Sequence, residues 1–133
     1  MSQSLDIFVD TNESLIAFMR ELESLLNVSF ELVTTDDEIW YEFDNPELVI
    51  TVGGHDFEND GDIKFENYRY DIDLRPIHYK TEAEWRERRE KYANQIFDKL
   101  KATQKYYLLL VDNLQEKLAE FSPQSSVVMT TPT

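Results

Sequence analysis

Apolar and polar residues alternate with a period of two along most of the chain, and this period predicts β-strands. The clearest example is the segment 68–77. In it Ile72 faces one side of the predicted strand, and Asp71 and Asp73 face the other. With turn residues between the segments, the pattern predicts strands at 5–10, 28–34, 38–43, 48–52, 68–77 and 106–111.

Two stretches instead repeat their apolar residues every three to four positions, which is typical of an amphipathic helix. The first covers about 12–26 and the second covers 82–103. At the start of the second helix, Thr81 and Glu84 have the spacing of a capping box. The apolar stripe of this helix contains Trp85, which we expect to be buried in the core.

The second helix also carries a cluster of basic residues that could be a phosphate site. Glutamates interleave with them at i,i+4 spacing, however, and such pairs stabilise a helix by a few tenths of a kcal/mol each. We therefore expect a salt-bridged outer face. The basic residues are Arg86, Arg88, Arg89 and Lys91.

The segment after the second helix fits two patterns. Its composition, rich in Tyr, Leu and Val, predicts a buried strand at 106–111, followed by a short C-terminal helix at 113–121. The alternative is one helix through 106–121, because the apolar residues also share a helical face. Beyond it, 122–133 lacks charge and is rich in Ser, Thr and Pro, so we expect a disordered tail.

These elements predict a single α+β domain over 1–121. Their order, β-α-β-β-β-β-α-β with a possible final helix, predicts a mostly antiparallel sheet of about five or six strands, covered on one face by the two helices. An antiparallel sheet can leave its other face in water. That face would carry Asp71 and Asp73, with Glu31 and Glu42 as further candidates.

The composition narrows the possible chemistry. The 133 residues include no Cys and two His, which excludes disulfides, thiol catalysis and multi-histidine metal centres. No run of about 18 apolar residues could span a bilayer, and the first residues lack the features of a secretory signal. No phosphate-binding loop, nucleophile elbow or zinc-ligand spacing occurs. We expect a cytoplasmic protein that is not an enzyme and uses no cofactor.

The net charge is strongly negative and unevenly distributed. The chain carries 27 Asp and Glu against 13 Lys and Arg, a net charge of −14. Residues 1–79 hold 19 acids and 4 bases, whereas 80–105 hold 5 acids and 8 bases. A protein with this much negative charge repels nucleic-acid phosphates and anionic lipid surfaces, and it attracts a basic protein. Solubility alone would also account for the charge.

One acidic segment resembles an EF-hand calcium loop. Asp56, Glu58 and Asp60, followed by Gly61, match the offsets at which that loop begins. The bidentate glutamate should then fall at residue 67, which is Asn67. We therefore expect no metal. Metal binding remains the alternative hypothesis, with Asp56, Glu58, Asp60, Asp62 and Glu66 as its ligands.

Small size, strong acidity and the lack of catalytic motifs favour a protein-binding module. In this general character the chain resembles the small acidic immunity proteins that neutralise bacterial toxins, and acidic inhibitors of nucleases. We expect one basic protein partner, with no direct contact to nucleic acid or membrane. A further alternative is a DNA mimic that inhibits a nucleic-acid-binding protein. The expected partner-binding residues are Asp36, Asp37, Glu38, Asp71 and Asp73.

Overall fold

The computed structural model describes residues 4–123, and over this range the chain forms a single α+β domain. The predicted disordered tail, 122–133, lies outside the described residues except for its first two positions. The elements are β1 (Leu5–Asp10), α1 (Leu15–Leu26), β2 (Glu31–Thr34), β3 (Ile39–Asp44), β4 (Leu48–Gly54), β5 (Tyr70–Pro76), α2 (Glu82–Ala102), β6 (Tyr107–Asp112) and β7 (Glu116–Phe121).

The strands form one antiparallel sheet in the order β2-β3-β4-β5-β1-β6-β7. The predicted sheet type is confirmed, and the seven strands found within residues 4–123 exceed the five or six expected. β1 lies between β5 and β6. Its side chains from Leu5 to Val9 are all buried, as expected for a strand covered on both faces.

Both helices pack on one face of the sheet, as the sequence predicts. α2 contacts β1, β5 and β6, and α1 packs beside α2. The apolar stripes of the helices meet apolar side chains from alternate strand positions, with Tyr106 among the largest fully buried groups. No helix within residues 4–123 has the length and apolar character needed to cross a membrane.

The opposite face of the sheet is covered over part of its area. The connection between β4 and β5 folds back across β1 and β6 and completes a small second core. The sequence indicates that this face can lie in water, and the connection covers the half formed by β1 and β6. This cover could not be predicted, because the few apolar residues of the connection lie among acids and show no period. The second core consists of Phe8, Ile63, Phe65, Leu109 and Val111.

The predicted C-terminal helix at 113–121 is wrong. Residues Glu116–Phe121 form β7, which pairs with β6. The tight turn between them is closed by the Gln115 N–H, which donates to the Asp112 carbonyl at 3.0 Å, and has positive φ at both Asn113 and Leu114, the φ signs of a type I′ turn. The helical spacing of apolar residues is misleading here, because Leu118 is 47% exposed and does not belong to a buried face.

Other differences lie at the ends of elements. α1 begins after Ser14, whose hydroxyl accepts a hydrogen bond from the backbone N–H of Ala17 at 3.2 Å. β2 is shorter than predicted, because the backbone N–H of Phe30 donates to Glu23 Oε2 at 2.7 Å and ties this segment to α1. The predicted cap of α2 is present: the Thr81 hydroxyl accepts from the N–H of the residue three positions on.

Arg89 departs from the predicted exposed face of α2. Its side chain is buried and donates to Asp112 Oδ1 at 2.7 Å. Its guanidinium carbon also lies 4.6 Å from the ring centroid of Trp85, which is buried as expected. These contacts fix the start of α2 against β6. The predicted pair of Arg88 with Glu84 is present at 2.9 Å.

Candidate partner-binding surface

Carboxylates are concentrated at one edge of the sheet, on residues 31–47, which contain β2, β3 and the turns beside them. We call this segment the acidic hairpin. It contains no Lys or Arg. None of its carboxylates forms an ion pair with any residue from 4 to 123. These carboxylates are Glu31, Asp36, Asp37, Glu38, Glu42, Asp44 and Glu47.

The tip of the acidic hairpin holds three of the predicted partner-binding residues, Asp36, Asp37 and Glu38, and all are exposed. Thr35 stabilises the turn on which they lie. Its backbone N–H donates to the Glu38 carbonyl at 2.9 Å, and its hydroxyl accepts from the Glu38 N–H at 3.1 Å. The turn therefore keeps three consecutive acidic residues in solvent.

The uncovered half of the second sheet face forms an open cavity of about 590 Å³ beside the acidic hairpin. Trp40 and Glu42 of β3 line it, and the indole N–H of Trp40 donates to Glu42 at 3.3 Å. Gly53 of β4 packs against Trp40, where an added Cβ would lie 3.2 Å from the Trp40 Cβ. Asp71 and Arg75 of β5 also line the cavity.

Pairing of β1 with β5 brings three carboxyl groups together on this face. Asp6 lies directly opposite Asp73, and its carboxylate shares a hydrogen bond with Asp71. Asp6 is 3% exposed and accepts from the Ser4 hydroxyl at 2.6 Å. Arg75 donates to Asp73 at 2.9 Å. One oxygen of Asp71 and one of Asp73 are buried without a partner among the described residues.

Burial raises the pKa of each of these three carboxyl groups, because the charged form loses its hydration. Burial and the Asp6 charge raise the pKa of Asp71 to about 10. Burial and the Asp6 charge also raise the pKa of Asp73 to about 6, against the opposing effect of Arg75. Burial raises the pKa of Asp6, although hydrogen bonds from Asp71 and Ser4 act in the opposite direction. Asp71 is therefore protonated at neutral pH and donates a hydrogen bond to the Asp6 carboxylate.

The five predicted partner-binding residues thus fall into two groups. The three at the hairpin tip are exposed, whereas Asp71 and Asp73 are partly buried on the sheet face opposite the helices. Sequence reasoning missed Asp6, which changes the chemistry of the second group. The signal available was its position: an acid between Leu5 and Ile7, inside a strand that is otherwise apolar up to Val9.

The acidic residues of the EF-hand-like loop do not converge. Glu66 accepts from the backbone N–H of Asn59 at 3.1 Å, and the Asn59 side chain accepts from the N–H of Glu66 at 2.9 Å. Within residues 4–123, no group of three or more acidic or histidine side chains is arranged to hold a metal ion. The proposed metal ligands, which therefore do not surround a common metal position, are Asp56, Glu58, Asp60, Asp62 and Glu66.

His55 fixes the start of the same loop, and both of its ring nitrogens are occupied. Nε2 lies 2.7 Å from the Tyr68 carbonyl oxygen, to which it donates, and Nδ1 accepts from the Phe57 N–H at 3.1 Å. This pattern requires the neutral ring. The ring also packs edge-on against Phe8, with centroids 5.0 Å apart. His55 therefore joins the two ends of the loop to the second core.

Comparisons of the chain with protein-family models, with characterised proteins and with solved structures found no match.

Proposed function

We propose that this protein is a small binding module that captures one basic protein through the acidic hairpin, as an immunity protein or inhibitor does. One observation carries the proposal: the carboxylates of residues 31–47 have no base in their segment and no ion pair with residues 4–123. Their negative potential is left for the Lys and Arg of a partner to neutralise, which speeds association and selects the partner.

The charge on α2 is arranged differently, which supports a special role for the hairpin. There, acids and bases interleave, and Arg86 and Arg88 pair with Glu82 and Glu84 at 3.1 and 2.9 Å. The pair of Arg86 with Glu82 is exposed and contributes little to stability, but both pairs reduce the local potential. Carboxylates that served only solubility would gain nothing from being gathered at one edge of the sheet.

The two alternative functions stand differently against the geometry. Metal binding has no convergent ligand set among residues 4–123, so we do not propose it. The DNA-mimic hypothesis uses the same exposed carboxylates and differs in the identity of the partner. It becomes an outcome of the experiment, since DNA would then compete with this protein for the partner.

The test is co-purification of the tagged full chain from its source cells, followed by reconstitution with the purified partner. The hairpin variant carries Asp36→Asn, Asp37→Asn and Glu38→Gln. A matched control removes three exposed carboxylates from α2, through Glu87→Gln, Glu90→Gln and Asp98→Asn. We expect a basic partner whose association is weakened by the hairpin variant and little changed by the control.

Two results would refute the proposed function. One is a partner that binds the hairpin variant and the α2 control with equal affinity. The other is binding that does not change between low and high salt, because screening must weaken an association that depends on exposed charge.

A further inference from the structure

The two edges of the sheet differ in how they are protected from pairing with another chain. At the β7 edge the register of β6 with β7 shifts between Leu110 and Val111, and Lys117 stands on the strand. Bulges and lysines are common means of blocking an edge strand. At the other edge, residues 31–34 contain no Lys or Pro, and the register of β2 with β3 is unbroken.

The alternation of an antiparallel ladder fixes which backbone groups of β2 point outward. The N–H of Thr35 donates to the Glu38 carbonyl, so this pair is bonded within the hairpin. Hydrogen-bonded pairs alternate with non-bonded pairs along β2 and β3, so Val33 and Glu31 are also hydrogen-bonded to β3. The N–H and C=O groups of Leu32 and Thr34 are therefore directed away from β3. No strand among the described residues lies beyond β2. These groups therefore face a free edge.

The side chains on the two sides of β2 differ in chemistry. On the helix side, Leu32 is 54% exposed, and the nearby Ile39 of β3 is 56% exposed. On the other side, Glu31 lies opposite Glu42 of β3. An added strand alternates its side chains between the same two sides. An added strand that complements β2 therefore has apolar residues beside Leu32 and basic residues beside Glu31.

A second copy of this chain fits the edge poorly. Pairing of two β2 strands would bring two acidic hairpins together, and neither carries a base in residues 31–47. Like charges in such proximity oppose association. The same field favours a basic occupant.

We propose that β2 accepts an extended segment of the basic partner as an eighth strand of the sheet, and that this segment alternates basic and apolar residues. The inference rests on the proposed function and adds the mode of recognition. Main-chain hydrogen bonds supply affinity in this mode, and the alternating side chains supply specificity. The carboxylates at the tip, Asp36, Asp37 and Glu38, lie at one end of the new pairing and attract its charges.

The probe is a capped peptide of about nine residues that alternates lysine and valine, long enough to pair along a strand of ordinary length. It is titrated at low salt into the full chain labelled with ¹⁵N, and affinity and amide exchange are measured. We expect the outward N–H groups of Leu32 and Thr34 to exchange more slowly in the complex. The N–H groups of β7 should not change.

Two further peptides carry the same charge but are N-methylated, one on its valines and the other on its lysines. Only one of these two sets of nitrogens faces β2: the valines in an antiparallel addition, the lysines in a parallel one. One methylated peptide should therefore bind about tenfold or more weakly, and the other should bind like the parent.

A matched pair of variants tests the protein side. Thr34→Pro removes an outward N–H without removing a β2–β3 hydrogen bond, whereas Thr34→Val keeps it. We expect the first to lose peptide affinity and the second to retain it. The methylated peptides use the unaltered protein, so the test stands even if the proline variant does not fold.

The outcomes separate this inference from the proposed function. Equal affinity for all three peptides, or equal losses with both methylated ones, overturns strand addition while leaving charge-driven capture intact. Strand addition is also overturned if the peptide slows amide exchange in β7. It is overturned as well if the outward amides of β2 exchange slowly without any peptide, a result that would favour pairing with a second copy of this chain. If no peptide binds at low salt, strand addition fails, whereas the proposed function is still decided by the hairpin variant and its α2 control.

Discussion

Asp6 of β1 and Asp73 of β5 lie directly opposite each other in the sheet, and the neighbouring Asp71 shares a hydrogen bond with Asp6. Like charges in opposite positions on adjacent strands destabilise a sheet. The arrangement is tolerated because Arg75 pairs with Asp73 at 2.9 Å, and because Asp71, whose pKa is raised to about 10, is protonated at neutral pH and donates a hydrogen bond to Asp6. The stability of the fold should therefore depend on pH.

We expect Asp71→Asn to stabilise the protein at alkaline pH. An unfolded Asp has a pKa of about 3.9, and the folded value of Asp71 is raised to about 10. The stability that protonated Asp71 contributes is complete below about pH 4 and is lost as pH rises towards 10. Asn cannot ionise, so at pH 8 the variant should gain roughly 1 kcal/mol or more of unfolding free energy.

Denaturant titrations at pH 4 and pH 8 provide the measurement. At pH 4 the variant and the natural protein should be nearly equal in stability, since both carry a neutral group at position 71. Asp44→Asn on the exposed end of β3 is the control and should show no such pH dependence. A loss of stability at pH 8 in the Asp71 variant would contradict the assignment of the proton.

Trp85→Ala should lower the unfolding free energy by about 3–5 kcal/mol. The indole is 6% exposed, and its loss also removes the ring against which the buried Arg89 guanidinium packs. Trp40→Ala is the comparison, because Trp40 is partly exposed at the cavity, and we expect it to cost about 1 kcal/mol. If thermal melts ranked the two variants in the reverse order, the packing of α2 described above would be wrong.

The hairpin tip and the open face should affect association differently. Neutralising Asp36, Asp37 and Glu38 should slow association with the partner by about tenfold at low salt, because exposed charge steers the encounter. Asp71→Asn should leave the rate nearly unchanged at pH 7, since that carboxyl group is already neutral. Stopped-flow kinetics at two ionic strengths would measure both effects. Equal slowing by both variants would show that Asp71 is ionised in the free protein.

Calcium at millimolar concentration should not raise the melting temperature in a saturable way. A ligand that binds the folded state stabilises it by mass action, but the carboxylates of the EF-hand-like loop share no centre. Glu66 instead accepts from the N–H of Asn59, so Glu66→Ala should destabilise the loop without calcium. A saturable shift that Asp56→Asn with Asp60→Asn abolishes would restore the metal hypothesis.

The sequence predicts most of the fold because the faces of these strands and helices are chemically distinct. Strict alternation around Ile72 identifies β5, and the capping residue Thr81 marks the start of α2. β7 is not predicted, because its apolar residues fit a helical face as well as a strand. The type I′ turn that decides between them depends on Asn113 and Leu114, of which Leu114 is an unusual residue for positive φ.

The site is predicted less completely, because burial and pairing depend on residues far apart in the chain. The sequence places Asp71 and Asp73 on one face, but their protonation depends on Asp6 in the adjacent strand. In the same way, Arg89 is buried because Asp112 of β6 lies within reach. The hairpin tip is predictable from local sequence, since turn residues and acids stand side by side.

The position of β1 bears on how this chain can be made. Leu5 pairs with Leu74 on one side and with Asp112 on the other, so during translation β1 leaves the ribosome long before either neighbour has been synthesised. The sheet cannot be completed before β6 has emerged. Domains built on such distant pairings fold slowly compared with those that use local contacts. While translation continues, the apolar side chains of β1 are available to chaperones that bind nascent chains.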